Sequence, residues 1–285
     1  MSDAIAVHHG AYGRCGLYSL NRSLPTHVHL ESHLIFSLSG QPAKLKIEDT
    51  DCTVCTETVV AINPLQPHSQ SIDRSDGDSV VLVLYIKPAW LEKMRGTNQT
   101  VRFTSNDFKI NREIKDLQVQ VNRLLRQPTT QEEVLLPVIF KLAQACYRRS
   151  NEVDPSLHKN NREPIDRRIE KSLRLFRDYL KDDVPPEYIA SEVGLSRPHF
   201  YKLFREQIGV TPSVYQNAIK IDVAIERLTG TNQPINSIGH ELGFASAASF
   251  SRFFSSNVGI PPVNYRRVSC ANRSSESVAL SLIHI

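Results

Sequence analysis

The chain has 285 residues, a formal net charge of +4 and five cysteines. That length is enough for two domains. The odd, scattered set Cys15, Cys52, Cys55, Cys146 and Cys270 argues against a disulfide scaffold and for a reducing compartment. With no signal peptide and no apolar run long enough to cross a bilayer, a cytoplasmic protein without a membrane partner is expected.

From about residue 14 to 87 the pattern is one of short strands and turns. Leu34, Phe36 and Leu38 alternate before Gly40, Val59 to Ile62 precede Asn63 and Pro64, and Val80 to Ile86 is a run suited to a buried strand. Short, evenly spaced strands of this kind predict a small β-barrel or sandwich. Cys52 and Cys55 lack the second cysteine pair that a structural zinc site needs, and read as plain strand residues.

Four histidines stand out. His27 and His29 are two apart, so on a strand they share one face. His33 follows, seven residues before Gly40, and His68 closes the segment Ile62 to His68. The two segments Pro25–His33 and Ile62–His68 resemble the paired motifs of cupins. The leading glycine of the first motif is absent, and His33 stands where glutamate is usual. The resemblance implies that His27, His29, His33 and His68 converge on a barrel mouth. Such a set could hold Zn²⁺, Ni²⁺ or Fe²⁺; equally, it could line an organic-ligand pocket or cap the barrel end.

Two helices are predicted next. Ile114, Leu117, Val121, Leu124 and Leu125 recur at helical spacing over 111–126, and Val134, Leu135, Val138, Ile139, Leu142 and Cys146 do so over 131–149. Thr130 is placed as the capping residue of the turn between them. Their broad apolar faces need cover, either from the barrel or from a second copy of the chain. Residues 150–163 are polar and aperiodic and read as a linker.

The C-terminal half holds an internal repeat. Ile189, Gly194, Phe200, Phe204, Gly209, Pro212 and Tyr215 recur as Ile238, Gly243, Phe250, Phe254, Gly259, Pro262 and Tyr265. Each copy parses as helix, glycine turn, helix, with Ser196 and Ser246 as N-caps of the second helix. Two short helices across a tight turn are the helix-turn-helix, whose second helix enters the DNA major groove. A helix from about Pro212 to Thr229 joins the copies as a rigid rod. Such a rod is needed to set two reading helices one turn, about 34 Å, apart on DNA. The basic excess lies wholly within 162–273. It is a modest field, which supports DNA contact without establishing it.

Residues 165–267 resemble the DNA-binding domain of AraC/XylS transcription regulators. The most specific segment is Gly243, Phe244, Ser246, Ala248, Phe250, Ser251, Arg252 and Phe254, followed by Gly259, Pro262 and Tyr265 to Arg267. Ile165, Ile169, Leu173, Phe176 and Leu180 match the leading helix. Gly239 replaces the usual alanine, which should loosen its helix, and Ser255 and Ser256 stand where lysines are frequent. Helical spacing turns Arg197, His199, Tyr201, Lys202 and Arg205 outward in the first copy. The resemblance implies that Pro198, Tyr201 and Lys202 there, and Ala247, Ala248, Ser249 and Arg252 in the second copy, face base edges, and the cap Ser246 is counted with them among the DNA-binding residues. Lys202 and Arg252 can donate to guanine O6 and N7, whereas Ala247 and Ala248 can only meet thymine methyls.

The expected fold is α+β. Residues 1–149 form a cupin-like β-barrel with a helical hairpin, for sensing and dimerisation. Residues 150–163 are a linker. Residues 164–268 form an all-α domain of two helix-turn-helix units on a linker helix. Residues 269–285 are a disordered tail, whose end (Leu280 to Ile285) reads as a sequencing-adapter remnant. The expected function is a non-enzymatic, sequence-specific transcription regulator, activation being the commoner outcome in the family. Its partners would be promoter DNA, a small-molecule or metal effector, RNA polymerase and a second copy of the chain. Two alternatives remain open: a metal-dependent cupin enzyme fused to a DNA-binding module, with Glu31 and Glu57 as candidate acids, and a DNA-binding regulator without a ligand.

Overall fold

The computed structural model describes residues 3–72, 78–96, 101–127, 131–153 and 165–269. Thr130, Cys270, most of the expected linker and all of the expected tail but Ser269 lie outside the described residues; Ser269 itself is helical and buried, not part of a tail.

Among the described residues, the N-terminal part has ten strands in two antiparallel sheets. They are β1 (Asp3–Gly10), β2 (Gly13–Leu20), β3 (Leu24–His27), β4 (Ser32–Ser39), β5 (Ala43–Ile47), β6 (Thr50–Val54), β7 (Thr58–Ile62), β8 (His68–Ser71), β9 (Ser79–Ile86) and, after helix α1 (Pro88–Arg95), β10 (Asp107–Lys109). One sheet runs β1-β2-β9-β4-β7-β10 and the other β3-β8-β5-β6. The strands start at Asp3, earlier than the alternation alone suggested, because β1 pairs with β2 from Gly13 to Ser19.

Side-chain alternation sorts this domain into two cores. Along β9, Val81 and Val83 face the second sheet while Leu82, Leu84 and Ile86 face away; Val60 and Ile62 split from Val59 and Ala61 on β7 in the same way. The outward set is covered by α2 (Arg112–Leu125) and α3 (Glu132–Val153). Asn111 caps α2 by accepting from the Ile114 amide. Ile114, Leu117, Val121, Leu135, Ile139, Leu142 and Cys146 are all buried on the sheet. The barrel therefore takes most of the apolar stripe that the sequence left open to a second copy. Val119 and Val134 are among the side chains left exposed. Helix α3 also runs through Pro137 to Val153, beyond the expected end at 149. Proline removes one amide donor, and burial of the surrounding stripe outweighs that loss.

The C-terminal part is all helical: α4 (Arg167–Asp178), α5 (Pro186–Glu192), α6 (Arg197–Ile208), α7 (Pro212–Gly230), α8 (Ile235–Glu241) and α9 (Ala247–Val258), with residues 262–269 also helical. Ile165 precedes α4 and is exposed, so it does not belong to that helix's buried stripe of Ile169 and Phe176. The rod α7 is 19 residues long, hence about 28 Å. Tyr215, Ala218, Ile219, Ile221, Ala224, Ile225 and Leu228 bury it on several sides, because helices of both units pack on it.

The barrel lumen and the core of the helical domain merge into one apolar cluster. They meet where the end of α9 lies against β3.

Candidate DNA-reading face and barrel cavity

Each helix-turn-helix unit is set by a glycine and two rings. Gly194 and Gly243 adopt φ of 70° and 82° at the turns, and Gly209 and Gly259 end the second helices at 92° and 88°. Phe200 and Phe204, and their counterparts Phe250 and Phe254, are fully buried. That burial fixes the rotation of α6 and α9. The opposite faces are left to solvent: Arg197, Pro198, His199, Lys202 and Arg205 on α6, and Ser246, Ala247, Ala248 and Arg252 on and beside α9. Tyr201 and Ser249 are half-buried.

The N-caps differ. Ser246 accepts from the Ser249 amide at 3.1 Å while the Ser249 hydroxyl is within 3.2 Å of the Ser246 amide, a reciprocal box. Ser196 occupies the N-cap position without a side-chain hydrogen bond, contrary to the expected cap; Pro198 takes one of the amides that it would have satisfied.

Several contacts on this face escape sequence reasoning. Glu187 on α5 pairs with Arg197 at 2.8 Å and accepts from the Tyr201 hydroxyl at 3.1 Å. Hydrogen bonding and the Arg197 charge hold its carboxyl below the usual range. Lys202 lies 3.9 Å from Glu206, an exposed and therefore weak pair. Arg252 has no ion pair among the described residues. Behind the face, Lys220 of α7 pairs with Asp183, whose side chain also abuts Gly243. Gly239 has a packing reason: a Cβ there would lie 3.0 Å from Cβ of Phe250.

The structure brings the four histidines together. Ring centroids are 4.4 Å apart for His27 and His68, 4.7 Å for His33 and His68, 5.0 Å for His27 and His29, and 5.1 Å for His29 and His33. His29 lies just beyond β3 rather than on it, so a shared strand face is not what aligns it with His27. All four are buried. Burial depresses each pKa, strongly for His29 and His33 and to about 3 for His68, with neighbouring histidines adding to the effect at His29, His33 and His68. Neutral imidazoles result.

These rings line a cavity of about 50 Å³, together with Tyr18, Ile35, Leu45 and Val83. Val258, Gly259 and Ile260, at the end of α9, form its far wall. The two parts also touch through Arg22, which donates to the Ser255 carbonyl at 2.6 Å. Glu31 and Glu57 do not line the cavity. Glu31 is buried against Arg14 at 2.7 Å, and Glu57 is exposed near Lys109. A wider cleft of about 550 Å³ lies between the parts, with Lys87, Arg102, Arg177, Glu31, Asp222 and Glu226 among its walls.

The fold defines a class: a barrel domain docked on a tandem helix-turn-helix domain. Comparisons with known proteins agree. Residues 189–268 match a helix-turn-helix domain family. The chain is 24% identical over 250 residues to the probable transcriptional regulator LumQ of Photobacterium leiognathi, covering 87% of this chain and 94% of that protein. It is 30% identical over 132 residues to the arabinose operon regulatory protein of Escherichia coli, covering 46% of this chain and 44% of that one. The chain thus spans nearly all of one relative and less than half of another. Among solved structures, ToxT from Vibrio cholerae has the same fold, with a TM-score of 0.60 at 18% identity over 89% of this chain and 96% of that one. Residues 189–268 thus carry a helix-turn-helix domain, and the chain is similar along most of its length to a probable transcriptional regulator. No helix among the described residues is long and apolar enough to cross a membrane.

Proposed function

We propose that the chain binds promoter DNA through α6 and α9 and that an effector in the barrel alters this binding. Lys202 and Arg252 read base edges. His199, Arg205 and Ser246 contact phosphates, Arg197 is held back from them by Glu187, and Pro198, Tyr201, Ala247, Ala248 and Ser249 shape the fit. Residues 1–149 sense, 150–163 connect and 164–268 bind DNA. The protein works in the cytoplasm as a homodimer that recruits RNA polymerase, and it catalyses no reaction. One observation carries the reading: two matched units present exposed polar helix faces from one buried rod.

The experiment is selection from random duplexes by the full chain, followed by footprinting. The expected result is two protected stretches about one helical turn, 10–10.5 bp, apart. Enrichment of no sequence over bulk competitor would end this reading. Transcription from the selected site with purified polymerase then separates activation from repression.

The docked arrangement favours a ligand-responsive regulator over one whose barrel merely dimerises. One wall of the cavity is the C-terminal end of α9, so filling the cavity acts on the end of a reading helix. A relative in fold, ToxT, has been solved with an unsaturated fatty acid bound. In this chain, however, the cavity is small, and no lysine or arginine among the described residues lines it to meet a carboxylate.

A further inference from the structure

We infer that the ligand of the barrel cavity is a divalent transition-metal ion, held by His27, His29 and His68 with His33 as a fourth donor. Its occupancy is transmitted to α9 through β3. The binding claim stands on the cavity alone; the consequence for DNA rests on the regulator reading above.

Four observations converge. The candidate ligand atoms of His27, His29 and His68 lie within 4.8 Å of one another. Ligands on one tetrahedral ion, at about 2.0–2.1 Å from it, are somewhat closer together than this, so small ring rotations complete the set. The tautomers are already chosen. His27 Nδ1 lies 2.7 Å from the Pro25 carbonyl and His68 Nδ1 lies 2.9 Å from that of Gln66. A carbonyl only accepts, so both Nδ1 atoms carry the proton and both Nε2 atoms keep a free lone pair. Backbone partners of this kind orient metal-binding histidines. Third, His33 sits beside this trio, its ring centroid 4.7 Å from that of His68 and 5.1 Å from that of His29, so a fourth imidazole is at hand. Fourth, the space is wrong for an organic effector. Pockets for such molecules measure roughly 300–1,000 Å³, against about 50 Å³ here.

The donor set also selects the ion. Imidazoles without carboxylates suit Zn²⁺, Cu²⁺, Ni²⁺ or Fe²⁺ and disfavour Mg²⁺ and Ca²⁺, which want oxygen.

The route outward is short. His27 ends β3, and Leu24 at the other end of that strand packs against Gly259, the left-handed C-cap of α9. Arg22, two residues earlier, holds the Ser255 carbonyl. Pulling His27 onto an ion changes how Leu24 and Arg22 seat the end of the second reading helix.

The test uses the full chain without an affinity tag, stripped with a chelator and titrated with Zn²⁺ and Ni²⁺, with Mg²⁺ as control. One Zn²⁺ or Ni²⁺ per chain is expected, with X-ray absorption showing three or four nitrogen neighbours at about 2.0–2.1 Å. His29→Gln and His68→Gln should each weaken binding by more than about tenfold. The absorption spectrum of the native protein makes the test independent of whether those variants fold. Failure to bind, an oxygen-dominated coordination sphere, or unchanged affinity in folded variants would overturn the metal site. For coupling, the selected operator should change metal affinity by at least about fivefold, and metal should change operator affinity by the same factor. Metal bound without such reciprocity overturns the transmission through β3. If no operator can be selected at all, the regulator reading fails with the transmission, while the metal titration still judges the site.

Discussion

Tyr265, which follows the second helix-turn-helix unit, meets His9 of the first strand. Its hydroxyl shares a hydrogen bond of 3.2 Å with Nε2, and the rings cross at 70° with centroids 5.8 Å apart. The two residues are 256 positions apart, so only docking of the two parts can join them. Together with the Arg22 contact to Ser255, this contact ties the barrel to α9 and the helix after it.

That docking can be loosened without disturbing either core. Arg22→Ala removes a charge-assisted hydrogen bond worth about 1.5–3 kcal/mol. Tyr265→Phe keeps the buried ring and removes a neutral hydrogen bond, worth about 0.5–1.5 kcal/mol. The double variant should unfold in two separated calorimetric transitions where the parent chain unfolds in one, and its radius of gyration should rise. A single transition with unchanged dimensions would mean that these contacts do not hold the parts together.

On the reading face, Arg252 and Lys202 are expected to behave differently from the remaining basic residues. Arg252→Ala should cost about 1–3 kcal/mol on the selected operator and relax one base position. Lys202→Ala should do the same at another position, since its pair with Glu206 is exposed and competes little. Affinities for the operator and its single-base variants decide the matter. An equal loss on every sequence would assign either residue to phosphate instead.

Glu187 carries the opposite expectation. Its carboxylate occupies Arg197 and the Tyr201 hydroxyl, and it adds a negative charge beside the surface proposed to meet phosphates. Glu187→Gln should therefore tighten binding to operator and bulk DNA alike. Freeing Arg197 for a phosphate should steepen the dependence of log K on log salt by about 0.9. Titrations at several salt concentrations measure this slope; an unchanged slope would show that Arg197 never reaches DNA.

How much of this was legible beforehand follows from the range of each interaction. The repeat marks both glycine turns and both buried phenylalanine pairs because a helix-turn-helix is local, with its signals within about 25 residues. The exposed positions on α6 followed from helical periodicity once Phe200 was placed inside, and those on α9 from the likeness of the second copy to a known motif. The four histidines were legible as a set, although His29 reaches the cluster from beyond β3 and not by strand alternation. The cover of the α2–α3 hairpin was ambiguous, since an apolar stripe states that it must be buried but not against what. Glu187 with Arg197, Asp183 with Lys220, Arg14 with Glu31, and the closure of the cavity by Val258–Ile260 left no trace in spacing. Each joins elements whose approach is decided by tertiary packing, and no local pattern encodes it.

The two turn glycines offer a comparison in which the copies act as each other's control. Both have positive φ, so an alanine at either position pays the left-handed penalty of about 1–2 kcal/mol. At Gly194 a Cβ would meet nothing within 4 Å, whereas at Gly243 it would lie 2.5 Å from Cβ of Asp183. Asp183 cannot easily withdraw, because its carboxylate is paired with the largely buried Lys220. Gly243→Ala should therefore lower the stability of the chain clearly more than Gly194→Ala, measured by urea unfolding. Adding Asp183→Gly should recover part of the loss in the Gly243 variant and none in the Gly194 variant. Equal costs at the two positions would show that Asp183 yields freely and that the contact behind the second unit exerts no constraint on its turn.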